Sequence, residues 1–451
     1  MLVTGCDARL PHVTTRLSRF AVGAALAVLN ATSPRLLLAQ LPVTRADAER
    51  AALGAGPRVA LARADSAAAH AAVVTARALP NPSLSASHTG APPQKHLVVD
   101  LPFDAPWSRG PRVSAANAAG RSARLRLLSE RAAALLEVDT TYTRALGAQA
   151  RFRLSRQTAR DADSLRAMTV ARRNAGDASD LDVDLASVTA GQQENVAATD
   201  SLTYMSTVLT VQTLMGIPAD SIQIVLVDTL RLGQADTRLL LDATDSAVVL
   251  AAPLPAAISA SAMPGGDSRG APGTPVGVAA AEASLQSAEL AVTRERRSVF
   301  GITSFQMGVE WGDPTIMPAD NEKLYLVGVS IPLPLFNQNQ GAIAQATAER
   351  DRARAELASA RLQTRQRIVE SYRELASLRA RVARDQDLVV RADRVAAKSL
   401  TAYREGASAL PAVLEARRTA REVLGQYIDD VTALITLQAE LRVLTQTIPP
   451  Q

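Results

Sequence analysis

Two long stretches of the chain have the apolar spacing of a continuous helix. Between Gln340 and about Arg404 there is no proline, and the only glycine is Gly341. Apolar side chains recur every seven residues at Ile368, Leu375, Val382, Val389 and Ala396. Such heptads are typical of helices that pack with a left-handed supercoil. About 64 residues at about 1.5 Å each predict a rod of about 96 Å.

A second run without proline, about Arg112–Arg173, matches the first, and a glycine-containing turn follows each of them. The turns span Asn174–Asp180 and Glu405–Pro411. Beyond each turn a further helical pattern of about 35 residues follows, over Leu181–Met215 and Ala412–Thr447. The sequence therefore predicts two long helical hairpins.

Ahead of each hairpin, a helical pattern (Thr44–Leu79 and Val276–Ser298) is followed by alternation of period two, which predicts strands. The predicted strands are Pro82–His88, His96–Phe103, Gly301–Trp311 and Lys323–Leu333. A strand with one apolar and one polar face suits a barrel wall between lipid and water, and aromatic residues gather beside these strands as they do at membrane interfaces. An ordinary soluble sheet with aromatic side chains in its core is the alternative.

The two hairpins belong to an internal duplication. When the chain is shifted by 230 residues it aligns with itself without a gap over more than eighty residues. The coinciding landmarks include Pro102 with Pro332, Tyr142 with Tyr372, Gly176 with Gly406 and Val183 with Val413. We therefore predict a first structural repeat over residues 41–216, an inter-repeat insertion over 217–275 and a second repeat over 276–451.

Residues 1–40 have the pattern of an export signal. Arg9, Arg16 and Arg19 precede the apolar stretch Phe20–Leu29, and small residues follow. We predict a signal peptide here, with an amphipathic first helix as the alternative. The segment Val3–Cys6 imitates a lipoprotein box, but no apolar stretch precedes it. Beyond residue 40 no run of about 18 apolar, uncharged residues predicts a transmembrane helix.

Composition and charge exclude several classes of protein. Cys6 is the only cysteine and there are four histidines, which excludes a disulfide framework and argues against a histidine-rich metal enzyme. The pI of about 9.7 suggests nucleic-acid binding, but charges of both signs alternate along Arg350–Arg404, as on a solvated helix face. Phosphate-binding loops and nucleophile–base pairs are absent from the sequence, so we predict no enzyme activity, no cofactor and no nucleic-acid partner.

Three motifs, in this order, resemble the outer membrane efflux protein (TolC) family. They are Leu79–Pro82 (LPNP), Val329–Phe336 (VSIPLPLF) ahead of Gly341, and Tyr403–Gly406 (YREG) followed by Val413–Ala416 (VLEA). The resemblance covers nearly all of the chain after residue 40. The heavy-metal, RND-associated branch of the family shows a similar general pattern, but no ladder of cysteine or methionine ligands follows residue 40 here.

Four strands are too few for a membrane barrel, which needs at least about eight, and an open sheet edge in lipid is costly. Three chains would supply twelve strands. The resemblance implies the same assembly: an α+β membrane protein with a duplicated strand pair and long helical hairpin, whose homotrimer forms a 12-stranded outer-membrane β-barrel and a periplasmic α-helical barrel.

The function implied by the resemblance is a passive exit channel for substrates handed on by an inner-membrane pump, of the RND type, and a periplasmic adaptor protein. Its partners would be those two proteins, outer-membrane lipid and further copies of the chain. The alternative is an elongated periplasmic coiled-coil adaptor or scaffold without a pore.

The resemblance also assigns roles at the two turns. Gly176 and Gly406 would mark the periplasmic tips where the adaptor docks. The family closes its tunnel with a tyrosine and an aspartate at the places of Tyr403 and Asp182. Its basic partner is replaced here by Ser408, and we expect Arg404 to substitute for it. Glu415 matches one position of an acidic ring at the tunnel entrance, while Ala412 stands where the other carboxylate would be.

Overall fold

The structure is a computed structural model that describes residues 41–88, 90, 95–220, 224–230, 274–299, 303–311, 323–445 and 447–448. The predicted signal peptide, residues 1–40, lies outside the described residues, as does most of the predicted insertion. The described part consists mainly of long helices, with short strands at their ends.

Each half of the chain contains a long helical hairpin that is preceded by shorter helices and strands. The first half comprises β1 (Leu41–Val43), α1 (Arg45–Ala55), α2 (Pro57–Arg77), β2 (Ser83–His88), β3 (Lys95–Phe103), α3 (Pro106–Asn174) and α4 (Asp180–Leu214). The second comprises β4 (Ile224–Leu226), β5 (Thr274–Pro275), α5 (Val276–Arg297), β6 (Thr303–Trp311), β7 (Leu324–Ser330), α6 (Gln340–Arg404), α7 (Leu410–Leu444) and β8 (Thr447–Ile448).

The 230-residue offset of the sequence is preserved in the hairpins. Helix α4 and helix α7 both have 35 residues, and they begin at Asp180 and Leu410, 230 positions apart. Helices α3 and α6 end at Asn174 and Arg404, again 230 apart. The two hairpins therefore share turn length and return-helix length.

Among the predicted boundaries that differ from the structure, three involve proline. The helix predicted over Thr44–Leu79 is broken at Gly56, because Pro57 cannot donate an amide and begins a new helix instead. Helix α3 begins at Pro106 and runs through Pro111, several residues before the predicted start. Strand β7 ends at Ser330, ahead of a stretch whose prolines lack ladder donors.

The four strands beside the long helices form one antiparallel sheet in the order β2-β3-β6-β7. Its register aligns Ser83, Asp100, Gln306 and Gly328 in one row across all four strands. Strand β1 pairs in parallel with β4, and β5 pairs with β8. The central sheet thus joins strands from both halves of the chain.

The helices pack side by side, each against its neighbours in a row. Helix α4 packs on α3, α3 packs on α7, and α7 packs on α6; nearer the sheet, α2 packs on α3 and α5 lies between α3 and α6. Gly147 of α3 allows a close approach to α7, since a Cβ there would lie 2.5 Å from Thr432 Oγ1. Helices α3 and α6 therefore contact both the helices near the sheet and the return helices of the hairpins.

Three buried apolar clusters stabilise these contacts. One surrounds Tyr142 of α3, whose hydroxyl donates to Val43 O and to Asp228 Oδ2, both at 2.9 Å. Burial, together with the Asp228 carboxylate, raises the pKa of Tyr142, so the phenol stays a neutral donor. A second cluster joins α6 to α7 through residues such as Val382 and Leu434. The third lies beside the two turns.

Candidate functional site

The turns that end α3 and α6 have the same backbone. Gly176 and Gly406 have positive φ angles of 89° and 77°, which favour glycine. In each turn the amide after the glycine donates over 2.8 Å to a carbonyl five residues back, closing a Schellman motif. Both predicted tip glycines therefore lie at the point where the chain reverses.

The first turn is held by exposed polar groups. Ser179 is the N-cap of α4, and its hydroxyl accepts from the Asp182 amide at 3.1 Å. Asp182 Oδ2 accepts in return from the Ser179 amide at 3.1 Å and from its hydroxyl at 2.8 Å, which forms a capping box. Arg173 pairs with Asp180 at 2.8 Å, and Leu181 is 75% exposed. Asp182, one of the predicted latch residues, thus stabilises its own helix terminus.

The second turn is held by apolar burial. Ala409, the N-cap of α7, provides no side-chain cap, but Leu410 is only 1% exposed. We call the residues around it the tip cluster: Leu165, Ala186, Tyr403, Leu410 and Val413. The cluster takes side chains from all four long helices. The second turn is therefore fixed against the first hairpin.

Tyr403 is buried within its own chain. It is 4% exposed, and its hydroxyl lies 3.3 Å from Thr169 Oγ1 of α3. Arg172 of α3 places its guanidinium 4.7 Å from the Tyr403 ring centroid and donates to the Tyr403 carbonyl at 2.6 Å. A cation at the carbonyl end of α6 is also favoured by the helix dipole. The described contacts join Tyr403 to Arg172 and Thr169, and the structure does not bring Tyr403 and Asp182 together.

Sequence reasoning missed Arg172 and Thr169. The signal for Arg172 was its position in the last turn of a helix, where basic residues hydrogen-bond free carbonyls. The carbonyl that it reaches, however, belongs to a residue 231 positions away. Neither residue spacing nor hydrophobic periodicity predicts a contact between residues so far apart in the sequence.

The remaining predicted residues are exposed. The Arg404 side chain is exposed and makes no hydrogen bond or ion pair with a described side chain or carbonyl. Glu415 lies beside Arg418, whose pKa is raised by Glu422 at 2.9 Å and, to a smaller extent, by Glu415. The Glu415 carboxylate is therefore accessible, with a basic neighbour one turn along α7.

The central sheet has two chemically different faces. One face carries the row Ser83, Asp100, Gln306 and Gly328, and His96 Nδ1 on it lies 3.0 Å from Glu310 Oε1. The opposite face carries the neighbouring row Leu84, Val99, Met307 and Val327. Phe103 and Phe305 pack edge to face at 5.9 Å. Because Val327 is 78% exposed, the apolar face lacks a cover within the described chain.

The four-stranded sheet and the layer of packed helices each have two open edges, and these lie on the same two sides of the chain. Strand β2 follows α2 at one edge of the sheet, and β7 leads into α6 at the other. In the helical layer the outer positions are likewise α4 and α2 on one side and α6 on the other. Among the described residues no group of three metal-ligating side chains occurs, and no described helix is sufficiently long and apolar to cross a bilayer.

This fold is shared with solved outer-membrane channels. VceC of Vibrio cholerae matches with a TM-score of 0.66 at 16% identity, over 89% of this chain and 96% of that chain. CmeC of Campylobacter jejuni matches with a TM-score of 0.70 at 12% identity, over 89% and 85%. The open state of MtrE of Neisseria gonorrhoeae matches with a TM-score of 0.62 at 15% identity, over 89% and 88%. No match is found among curated proteins.

The architecture is therefore that of an outer-membrane channel protomer. Residues 278–446, in the second half of the chain, match the family described as outer membrane efflux protein. This match confirms the resemblance of the motifs to the family. This match and the shared fold place the chain in the outer membrane with a helical tunnel in the periplasm. The matched family consists of channels rather than enzymes.

Proposed function

We propose that three copies of the chain close into a passive outer-membrane exit channel. Their sheets form a 12-stranded β-barrel, and their long helices form a periplasmic α-helical barrel. Substrates reach this channel from an inner-membrane pump of the RND type through a periplasmic adaptor. The observation that carries the proposal is the pair of open edges, at matching positions in the sheet and in the helical layer.

The sheet alone favours closure with other copies. Its outer strands β2 and β7 each have one row of unpaired amides and carbonyls, and every unsatisfied group in lipid costs several kcal/mol. Three sheets of four strands supply twelve, above the minimum of about eight for a membrane barrel. The exposed apolar face would then contact lipid, and the face with Asp100 and Gln306 would line water.

The edge helices α4 and α6 each carry exposed apolar residues at heptad spacing. On α4 the exposed residues Leu181, Val188, Leu202 and Leu209 share one heptad position. On α6 the exposed residues Leu388 and Val395 are also seven residues apart. Heptad seams of this kind are buried when helices pair in a coiled coil. Contact between α4 of one copy and α6 of the next would cover both.

Cysteine cross-linking tests this arrangement. In a Cys6→Ser background, which has no other cysteine, Ser85→Cys on β2 is combined in turn with cysteine at Leu326, Gly328 or Ser330 on β7. We expect at least one pair to give covalent dimers and trimers when membranes are oxidised. The single Ser85→Cys variant is the control and should not form trimers.

Negative-stain imaging of the detergent-extracted protein separates the channel from the alternative. Tapered cylinders with threefold end views support the channel. Thin rods that stay soluble without detergent, and cross-linking that never passes the monomer, would favour an adaptor or scaffold without a pore.

We further propose that the two turns are the tips where the adaptor docks and where the resting tunnel closes. Gly176 and Gly406 set the geometry, and large side chains there should abolish cross-linking to the adaptor. Because Tyr403 is held inside its own chain, the latch between copies would rely on Asp182 and Arg404. Tyr403 would keep α6 against α3.

Planar-bilayer recordings test the latch. Asp182→Asn keeps an oxygen for the Ser179 amide and removes the charge, so it should raise the resting conductance without unfolding the turn. Arg404→Gln should do the same, and Tyr403→Phe should raise conductance to a smaller degree. Asp177→Asn, an exposed change in the same turn, serves as the control. Unchanged conductance in the first two variants would remove them from the latch.

Glu415 is proposed to form an entrance ring of three carboxylates that favours cations. Glu415→Gln should then weaken cation preference, read as the reversal potential in a salt gradient. Glu194→Gln, at an exposed carboxylate of α4, is the matched control. An unaltered reversal potential in Glu415→Gln would contradict the ring.

A further inference from the structure

Two aspartates face each other between α6 and α7, at the turn-side end of the apolar cluster that joins these helices. Asp430 of α7 is almost fully buried, with a side chain that is 4% exposed. Its Oδ1 accepts from the Arg381 guanidinium and, at 3.1 Å, from Gln426 Nε2. One oxygen of this carboxylate is therefore satisfied by donors.

The second oxygen is in a different situation. Asp430 Oδ2 is buried and has no hydrogen-bond partner among the described residues, and the same holds for Asp385 Oδ2 of α6. The two carboxyl groups lie within hydrogen-bonding reach of each other. Two ionised carboxylates have no donor between them, whereas a single proton gives one of them an O–H that the other accepts.

We infer that Asp385 and Asp430 form a proton-binding site in which one proton is shared across the α6–α7 pair. The proton completes the hydrogen bonding of two buried oxygens that no described side chain satisfies. Neither the site nor its occupancy depends on the channel function proposed above.

The surrounding charges agree with this assignment. Burial, and then the Asp430 carboxylate, raise the pKa of Asp385, while Arg381 and Arg384 on the same helix oppose the rise. From α3, Arg151 is engaged by Asp429, one residue along α7. Among the described residues, the charged groups that act on Asp385 are thus Asp430, Arg381 and Arg384.

The site links stability to pH. A carboxyl group whose pKa is raised by folding binds its proton more tightly in the folded than in the unfolded state. Its contribution is therefore fully present below the ordinary aspartate pKa and is lost as the pH rises through the raised value. Loss of the proton places two negative charges between α6 and α7, at the turn-side end of the apolar cluster that joins these helices. Alkaline pH should loosen the second hairpin at this level.

Infrared spectroscopy of the full-length, detergent-solubilised protein tests the site directly. At about pH 6, ordinary carboxyl groups are ionised, so a protonated carboxyl band reports the shared proton. We expect the band in the wild type and in Asp387→Asn, an exposed change on α6, and its loss in Asp385→Asn. Absence of the band in the wild type, or its persistence in Asp385→Asn, would overturn the proposal.

Thermal unfolding provides an independent measurement. In Asp385→Asn the amide can donate permanently to Asp430 Oδ2, so its melting temperature should not fall between about pH 5 and pH 9. The wild type and Asp387→Asn should lose at least about 2 °C over that range. Equal pH profiles for all three proteins would contradict a shared proton. Recovery of wild-type stability at high pH by Mg²⁺ or Ca²⁺ would also overturn it, since a cation would then occupy the site.

Discussion

The turn between α3 and α4 and the turn between α6 and α7 have the same backbone conformation. Polar side chains hold the first turn, and apolar burial holds the second. Both reverse the chain at a glycine with positive φ and close the same Schellman hydrogen bonds. The residues that follow differ at equivalent positions: Ser179 and Asp180 in the first turn correspond to Ala409 and Leu410 in the second. The first is capped by polar side chains, and the second is anchored by a buried leucine.

This difference shows how a duplicated element can retain its shape while its attachment changes. The first turn is capped by its own polar side chains and leaves Leu181 exposed. The second turn is fixed to the first hairpin through Tyr403, Arg172 and the tip cluster. One turn therefore keeps an exposed apolar side chain, and the other holds the two hairpins of the chain together.

The largest expected effect comes from exchanging the equivalent residues. Leu410→Asp places a charge in the tip cluster and should lower the free energy of unfolding by more than about 3 kcal/mol. Asp180→Leu loses only an exposed ion pair with Arg173, and the change should stay within about 0.5 kcal/mol. Circular dichroism melting of the detergent-solubilised variants measures both. Similar losses in the two variants would contradict the distinction between the turns.

Substitution of the turn glycines should affect both hairpins equally. Gly176→Ala and Gly406→Ala each force a Cβ into the left-handed region and should cost about 1 kcal/mol. Backbone strain is the cause, because a Cβ at Gly176 would meet open space and one at Gly406 would lie 4.0 Å from its nearest neighbour, an Arg172 nitrogen. Gly191→Ala, in the interior of α4 with open space around it, is the control and should be neutral or stabilising.

Cap exchange should give effects no larger than those of the glycine substitutions, with opposite signs. Ser179→Ala removes the N-cap of α4 and should destabilise by about 1 kcal/mol. Ala409→Ser offers α7 a hydroxyl for the Ala412 amide and should stabilise by about 0.5 kcal/mol or more. The same melting measurement applies. A loss of stability in Ala409→Ser would show that burial of Leu410 already determines the geometry of that terminus.

Much of the architecture was predictable because it depends on local patterns. The heptads of α6, the glycines at 176 and 406 and the 230-residue offset placed both hairpins within a few residues of their observed bounds. The break at Gly56 and the early start of α3 were missed because proline is compatible with the first turn of a helix as well as with a loop. Hydrophobic periodicity does not distinguish a proline in the first turn of a helix from a proline in a loop.

The latch shows where sequence reasoning reached its limit. The resemblance to the family assigned the latch role to Tyr403 and Asp182, and both residues lie at the turns. Their partners could not be derived, because the Tyr403 environment comes from Thr169 and Arg172 on a helix more than 230 residues away. The burial of Tyr403 follows from how α3 and α6 pack, not from its position in the motif.

The sequence by itself determined the elements of this protein: helix length from periodicity, reversal points from glycine, and the repeat from a constant offset. These depend on backbone preferences that each residue expresses locally. The tertiary structure alone decided which turn is buried, which faces and edges remain open, and that Asp385 lies against Asp430. Such features depend on desolvation and on contacts between side chains from different helices, and these arise only when the helices pack.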